Sequence, residues 1–242
     1  MRISGDRIHL DAEKISTFFS TRATKYDSGN PYVSVLFQDR NPELAEKWNV
    51  KEKDLILPLL KLNFNSRILD VACGIGRWVD NLNNTYAYYL GIDSTDELIA
   101  IASLRYHNKM NTDFITISAE EFPEYFSDRN LKKFNRIIVS GLFQYLNDEN
   151  LHEFLQSLLL ITDDDSILYF LTAVCNTGKR LTLQNIYSEE LSDIYNAIYR
   201  TPEEYLELFD KFFGEKYKVR WNEDVFKSDE KIHTRDETSQ HC

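Results

Sequence analysis

The stretch RILDVACGIGRW, residues 67 to 78, constrains this chain more than any other. Arg67 to Val71 has the apolar content of a buried strand, carries an acid at Asp70, and runs without a spacer into Ala72, Gly74 and Gly76. Small residues at alternate positions let the backbone turn sharply and let a ligand approach it closely, so the pattern predicts a strand, a tight turn and a helix start in succession. Turns of this kind hold nucleotide-like ligands in open α/β sheets.

The rest of the chain repeats the alternation. Strands are predicted at Arg67 to Val71, Tyr88 to Ile92, Asp113 to Ser118, Arg136 to Ser140, Ser166 to Ala173 and Tyr217 to Phe226. Helical patterns lie between them at Arg77 to Asn83, Asp96 to Lys109, Glu121 to Phe126 and Asp148 to Ile161. Several of the strands are apolar on both faces, as strands covered by helices on two sides must be. Ser94 or Thr95 is expected to cap the second helix and Asn147 the last, each through its side-chain oxygen. The fold class is therefore α/β: a Rossmann-like, doubly wound, mostly parallel sheet of about seven strands with helical lid segments.

Two regions break the alternation. Residues 1–62 carry an amphipathic helix around Ala12 to Lys25, the turn-rich YDSGNPY, and a helical stretch from Pro42 to Leu62 with Pro58 near its end. Residues 180–212 read as a helical insertion in which Thr201, Pro202 and Glu204 mark a helix start. The predicted organisation is an N-terminal helical lid, 1–62, and a core, 63–242, that carries the insertion. Both extra segments are expected near the carboxyl ends of the strands, where such sheets bind ligands.

Charge narrows the partners. A formal net charge of -11 tells against a nucleic acid or an anionic lipid surface, because both bind through neutralisation of their phosphates. Cys73, Cys175 and Cys242 show no metal or disulfide spacing, and no apolar run approaches the roughly 20 residues that cross a bilayer. A cytoplasmic protein with a small-molecule partner, no membrane partner and no metal is expected; oligomeric state is not fixed by the sequence, a homodimer being compatible with it.

The turn distinguishes two cofactor readings. A dinucleotide fingerprint needs GxGxxG, and Gly74 and Gly76 fit while Val79 occupies the third position. The acid-x-Gly/Ala-x-Gly-x-Gly pattern is met in full by Asp70, Ala72, Gly74 and Gly76, and in this the chain resembles the class I S-adenosylmethionine-dependent methyltransferases. The physical difference is the absence of a phosphate: the turn then needs room for a methionyl chain and an acceptor, Asp70, for its ammonium group. Asp93 follows the glycines by about 20 residues at the end of the next strand, the place of a ribose-binding carboxylate, with Ser94 beside it.

The resemblance extends over residues 67 to about 175. It implies that Ser118, Ala119 and Glu120 border the adenine, with Ser118 standing where the family often has Asp. It implies that Ser140, Gly141 and Leu142 line the cofactor, that Gln144 and Tyr145 point to the acceptor, and that Phe143 and Leu146 pack in the core. The N-terminal FFSTRATKYDSGNPYVSVLFQDRNPE looks like the leader of bacterial small-molecule methyltransferases of polysaccharide or natural-product tailoring type. There Arg22 and Tyr26 would reach the cofactor's carboxylate.

In-line transfer from a sulfonium draws on positioning and on exclusion of water, and a hydroxyl acceptor additionally benefits from a general base. Tyr145 and His233 are the candidate bases, with Tyr145 alternatively an orienting hydroxyl and Gln144 beside it; His107 and His152 read as surface or packing residues. The expected function is O-methylation of a sugar or related metabolite. The alternatives are N-methylation of a small amine, a non-catalytic S-adenosylmethionine-binding scaffold, and a nicotinamide enzyme. In place of the family's apolar last strand, either a short polar strand is expected near Cys242 or the sequence is cut short of it, and the acidic Asp163 to Asp165 reads as a solvated turn.

Overall fold

Alternating side chains send each central strand's residues to opposite faces, and both faces are covered. In the computed structural model, which describes residues 1–83, 85–226 and 238–241, five parallel strands form the centre of one sheet. They are β2 (Arg67–Val71), β3 (Tyr88–Asp93), β4 (Thr112–Thr116), β5 (Phe134–Ser140) and β6 (Thr162–Cys175), in spatial order β4-β3-β2-β5-β6. Leu69, Leu90 and Ile137 turn to one face, under α5 (Phe122–Asp128), α6 (Asp148–Ile161) and α7 (Pro202–Phe213). Their neighbours Ile68, Tyr89 and Ile138 turn to the other, under α3 (Pro42–Leu60) and the 3₁₀ turn Arg77–Asn81. Strands buried on both sides need apolar residues at every position, and that is the signal read in the sequence. The remaining helix of this sheet, α4 (Asp96–Arg105), follows β3.

Among the described residues the sheet has six strands, against about seven expected. Its sixth strand is β9 (Thr238–His241), antiparallel to β6 with Thr172 opposite His241 and Cys175 opposite Thr238. Tyr217 to Phe226, predicted as a strand, is not one. Tyr217, Val219 and Trp221 alternate with Lys218, Arg220 and Asn222 as in a strand, but Val219 is exposed, and it is Val225 and Phe226 that are buried, against side chains of α3, Phe226 stacking on Trp48 with ring centroids 4.8 Å apart. Asp163 to Asp165, predicted as a turn, are exposed residues of β6 itself, at the point where its register against β5 is interrupted.

The insertion is also corrected. Residues 180–200 are not helical but form a hairpin, β7 (Leu181–Ser188) with β8 (Asp193–Tyr199), and β1 (Arg2–Ser4) adds to the free edge of β7. Isoleucine and tyrosine recur in both strands, at Ile186, Tyr187, Ile194, Tyr195, Ile198 and Tyr199, and their branched and aromatic side chains favour a pleated surface over a helix. Only α7 is helical, opened by a capping box in which the Glu204 amide donates to Thr201 Oγ1 (3.2 Å) and the Thr201 amide to Glu204 Oε2 (2.9 Å). The N-terminal segment places α1 (Ala12–Thr24) and the one-turn α2 (Val33–Leu36) beside α3. Asn147 starts α6 without capping it; its Oδ1 accepts from the Leu10 amide at 2.7 Å. Thr95 starts α4 and likewise makes no side-chain cap bond.

A buried charge cluster joins the second sheet to the first. Asp148, in the first turn of α6, accepts from Arg200 Nη2 at 2.6 Å and Arg180 Nη1 at 2.9 Å, and also from Arg7. Arg200 further donates to the carbonyls of Phe143 (2.9 Å) and Leu146 (2.8 Å), and Arg180 to Glu204 (2.6 Å). Burial works against the Asp148 charge, but Arg180 and Arg200 outweigh it and bring its pKa down to about 2. A carboxylate whose folded pKa is depressed adds stability above its unfolded pKa and gives it up as pH falls towards the folded value. Urea unfolding of Arg200→Ala is expected to show a loss of about 3 kcal/mol, since two carbonyls and a charge lose their partner in the interior. Asp148→Asn is expected to flatten the fall in stability between about pH 4 and pH 2 that the native chain shows.

Candidate active site

The carboxyl ends of β2, β3, β4 and β5 open into one cavity of about 920 Å³. It lies within the usual range for a small-molecule site, roughly 300 to 1,000 Å³. Its floor is built by the turn after β2. Ala72 (φ 57°), Gly74 (φ 53°) and Gly76 (φ 72°) all take left-handed backbone, which puts three direction changes into five residues. Ala72 pays the Cβ strain of that region, a cost that gathers at functional turns. Gly76 could carry no side chain: a Cβ there would come within 2.9 Å of the Phe114 and Tyr106 rings.

Asp93 ties this turn to the next strand. Its Oδ2 accepts from the Gly74 amide and its Oδ1 from the Thr95 amide, both at 2.9 Å, while the side chain lines the cavity. A carboxylate has about four lone-pair positions, so two remain for a vicinal diol presented from the cavity. Burial pushes its pKa up, against both amides.

Ala72, Gly74, Asp93, Ser94, Ser118, Ala119, Glu120, Ser140, Gln144 and Tyr145 are brought together on the cavity wall. Ser118 is partly committed, its hydroxyl donating to Glu121 Oε2 at 2.8 Å, and Glu120 accepts from Asn150 at 3.1 Å. Four expected cofactor residues lie elsewhere. Gly76 stands behind the turn. Asp70 is buried beneath it, accepting from the Tyr89 hydroxyl at 2.5 Å, and burial lifts its pKa to about 7. Tyr26 packs among the α1, α2 and α4 side chains. Arg22, expected at the cofactor's carboxylate, is fully buried and spends its guanidinium on the carbonyls of Ser34 (3.0 Å) and Val33 (2.6 Å) and on Asp39 (2.7 Å), locking α1 to the turn that follows it.

His233 lies outside the described residues. His107 is exposed and bonded to the Leu104 carbonyl, His152 packs on Phe212, and Phe143 is a core residue. Gln144 is engaged at both ends of its amide, donating to the Gly141 carbonyl (3.0 Å) and accepting from Thr172 (3.1 Å). Tyr145 meets two tyrosines that sequence reasoning missed, because they stand on the hairpin: its hydroxyl is 2.9 Å from that of Tyr195, which accepts from Tyr199 at 3.2 Å. Phe19 packs edge-on against Tyr145, and Phe37 closes against Phe19 and Tyr195. Burial raises the Tyr145 hydroxyl above its ordinary range, so it stays protonated at neutral pH.

Beyond Ser140, one ionic group closes the floor. Arg77 donates to Glu52 (2.6 Å) and to Ser140 Oγ (2.8 Å), and Glu52 also accepts from Ser140 and from Tyr169. The helix α3 supplies Glu52, which a sequence periodicity places on an apolar face without revealing its partner.

Residues 68–163 match the family profile described as a methyltransferase domain. The phosphoethanolamine N-methyltransferase of Plasmodium falciparum (isolate 3D7) is 29% identical over 196 residues, 66% of this chain and 71% of that protein. The structure of Haemonchus contortus phosphoethanolamine N-methyltransferase 1 with phosphoethanolamine and S-adenosylhomocysteine superposes with a TM-score of 0.66 at 19% identity, over 96% of this chain and 50% of that one. A complex of DhpI with SAM and HEP superposes with a TM-score of 0.59 at 14% identity, over 98% of both chains. At such identities the structural likeness speaks for the fold.

Asp93→Ala is expected to weaken S-adenosylhomocysteine binding by at least about tenfold in calorimetric titration. Unaltered affinity in a folded variant would remove Asp93 from the ligand's path.

Proposed function

We propose that the chain is a class I S-adenosylmethionine-dependent methyltransferase and that it methylates the nitrogen of a small amine. The observation that carries this reading is the aromatic wall opposite the cofactor turn. Phe19, Phe37, Tyr145, Tyr195 and Tyr199 all line the cavity. Ring faces attract a cation, which an amine is in its ammonium form and again once methyl transfer has made its nitrogen positive. The tyrosine oxygens add lone pairs that accept from the amine N–H groups and turn the nitrogen's own pair towards the methyl donor.

The bound cofactor supplies a methyl group already activated by a sulfonium. The protein's share is placement and exclusion of water. Residues 1–62 and the insertion, by this reading, form a lid over the core of 63–242, α1 and the hairpin meeting above the site where Phe18 packs on Tyr195 with ring centroids 5.5 Å apart. Ala72, Gly74, Asp93 and Ser140 would hold the cofactor, and Glu120 its adenine.

The amine also fits better than the sugar hydroxyl expected from the sequence. Sugar recognition rests on uncommitted polar side chains, whereas the Gln144 amide is used at both ends and Tyr145, kept protonated by burial, offers no free base form at neutral pH. The named relatives supply the first acceptor to try, phosphoethanolamine.

Three assays decide this. With an isotope-labelled methyl donor, label is expected on phosphoethanolamine or ethanolamine and not on a panel of monosaccharides; label on sugars alone would overturn the reading. Tyr195→Ala is expected to raise the KM for the amine about tenfold. The rate of the native chain is expected to rise with pH until the acceptor amine is deprotonated, and Tyr145→Phe to keep that rising limb, because the limb belongs to the substrate.

A further inference from the structure

With Arg22 spent on backbone carbonyls and Asp39, the charged amino-acid end of the cofactor needs other partners, and the strand order says where to look. Ser118 follows β4, Asp93 ends β3, Ala72 follows β2 and Ser140 ends β5. A ligand with its nucleobase at the first and its ribose at the second can only extend its remaining chain across the third towards the fourth. Arg77 stands at that point, bonded to Ser140.

Two further polar side chains line the cavity. Gln38, at the end of the α2 segment, is 4% exposed, and Trp48, on α3, is 6% exposed. Gln38 Oε1 and Trp48 Nε1 are both buried without a hydrogen-bond partner. A buried acceptor and a buried donor left open are each costly, and native proteins keep very few of them. Here the pair is of opposite kind: one atom can only accept and the other can only donate.

We propose that Gln38, Trp48 and Arg77 form the subsite for a zwitterionic α-amino-acid group, the methionyl end of the cofactor. Gln38 Oε1 accepts from the ammonium. Trp48 Nε1 donates to the carboxylate, and Arg77, held charged by Glu52, supplies the field that favours it. Asp70, which the motif suggests for the ammonium, is turned away to Tyr89. The inference rests on the cofactor reading, and its test keeps the two apart.

Native protein, Trp48→Phe and Gln38→Leu are titrated calorimetrically with S-adenosylhomocysteine and with 5′-methylthioadenosine, which shares the nucleoside but has no amino-acid group. Trp48→Phe keeps a ring to stack on Phe226 and removes the N–H together with part of the indole; a loss of packing would weaken both ligands alike, so the comparison of the two isolates the bond. Each variant is expected to bind S-adenosylhomocysteine about tenfold more weakly and 5′-methylthioadenosine as the native chain does. Equal losses for both ligands, or no loss for either, would overturn the subsite. So would a native chain that binds both ligands with the same affinity, a comparison that needs no variant to fold. Binding of neither ligand by the native chain would instead sink the cofactor reading beneath it.

Discussion

The Asp93 carboxylate, accepting from the Gly74 and Thr95 amides, is the contact on which the site depends. It fixes the turn after β2 to the end of β3, and so decides how far apart the floor's two principal elements stand. A buried carboxylate in an apolar setting is expensive unless its oxygens are bonded. Two backbone amides meet that need in part while leaving the cavity side of the group open. One carboxylate thus both holds the turn and faces the cavity, and the turn's three left-handed residues are what bring the Gly74 amide within reach.

Two energetic styles meet at the cavity. Below it lies an apolar α/β sheet covered on both faces, in which burial of Leu, Ile and Val side chains does most of the stabilising. Above it the hairpin is tied down by charge: Asp148 receives Arg7, Arg180 and Arg200, and Arg180 reaches on to Glu204. Pairs of this kind contribute little net stability when complete and cost heavily when one partner is removed. What they fix is position, and here they set the angle at which Tyr195 and Tyr199 face Tyr145.

The floor was legible in the sequence because its signals are local. Arg67–Val71 and Asp148–Ile161 were readable to the residue, the first from an apolar run ending at small residues and the second from a 3.6-residue period that stops at the polar Thr162. The hairpin was not read, although its recurring Ile and Tyr were visible, because the helix start at Thr201 drew the whole segment into a helical reading. Arg22 shows a different limit. An arginine in a leader looks free to meet an anion, and only the folded chain shows three acceptors already around it. Gln38 and Trp48 carried no signal at all, since an unpartnered atom is a property of tertiary structure alone.

The pairing of β1 with β7 has a consequence for how the molecule comes together. Met1 and Gln184 lie 183 positions apart and are joined by backbone hydrogen bonds at the edge of the second sheet. Closing so long a loop is entropically costly and is repaid only once both flanking structures exist. The parallel sheet makes no such demand on the N-terminal strand, so the three-stranded roof carries the longest loop closure among the described residues. The aromatic wall, being half roof, takes its Tyr195 and Tyr199 from that sheet, and so inherits its dependence on a contact between the two most distant parts of the chain that pair.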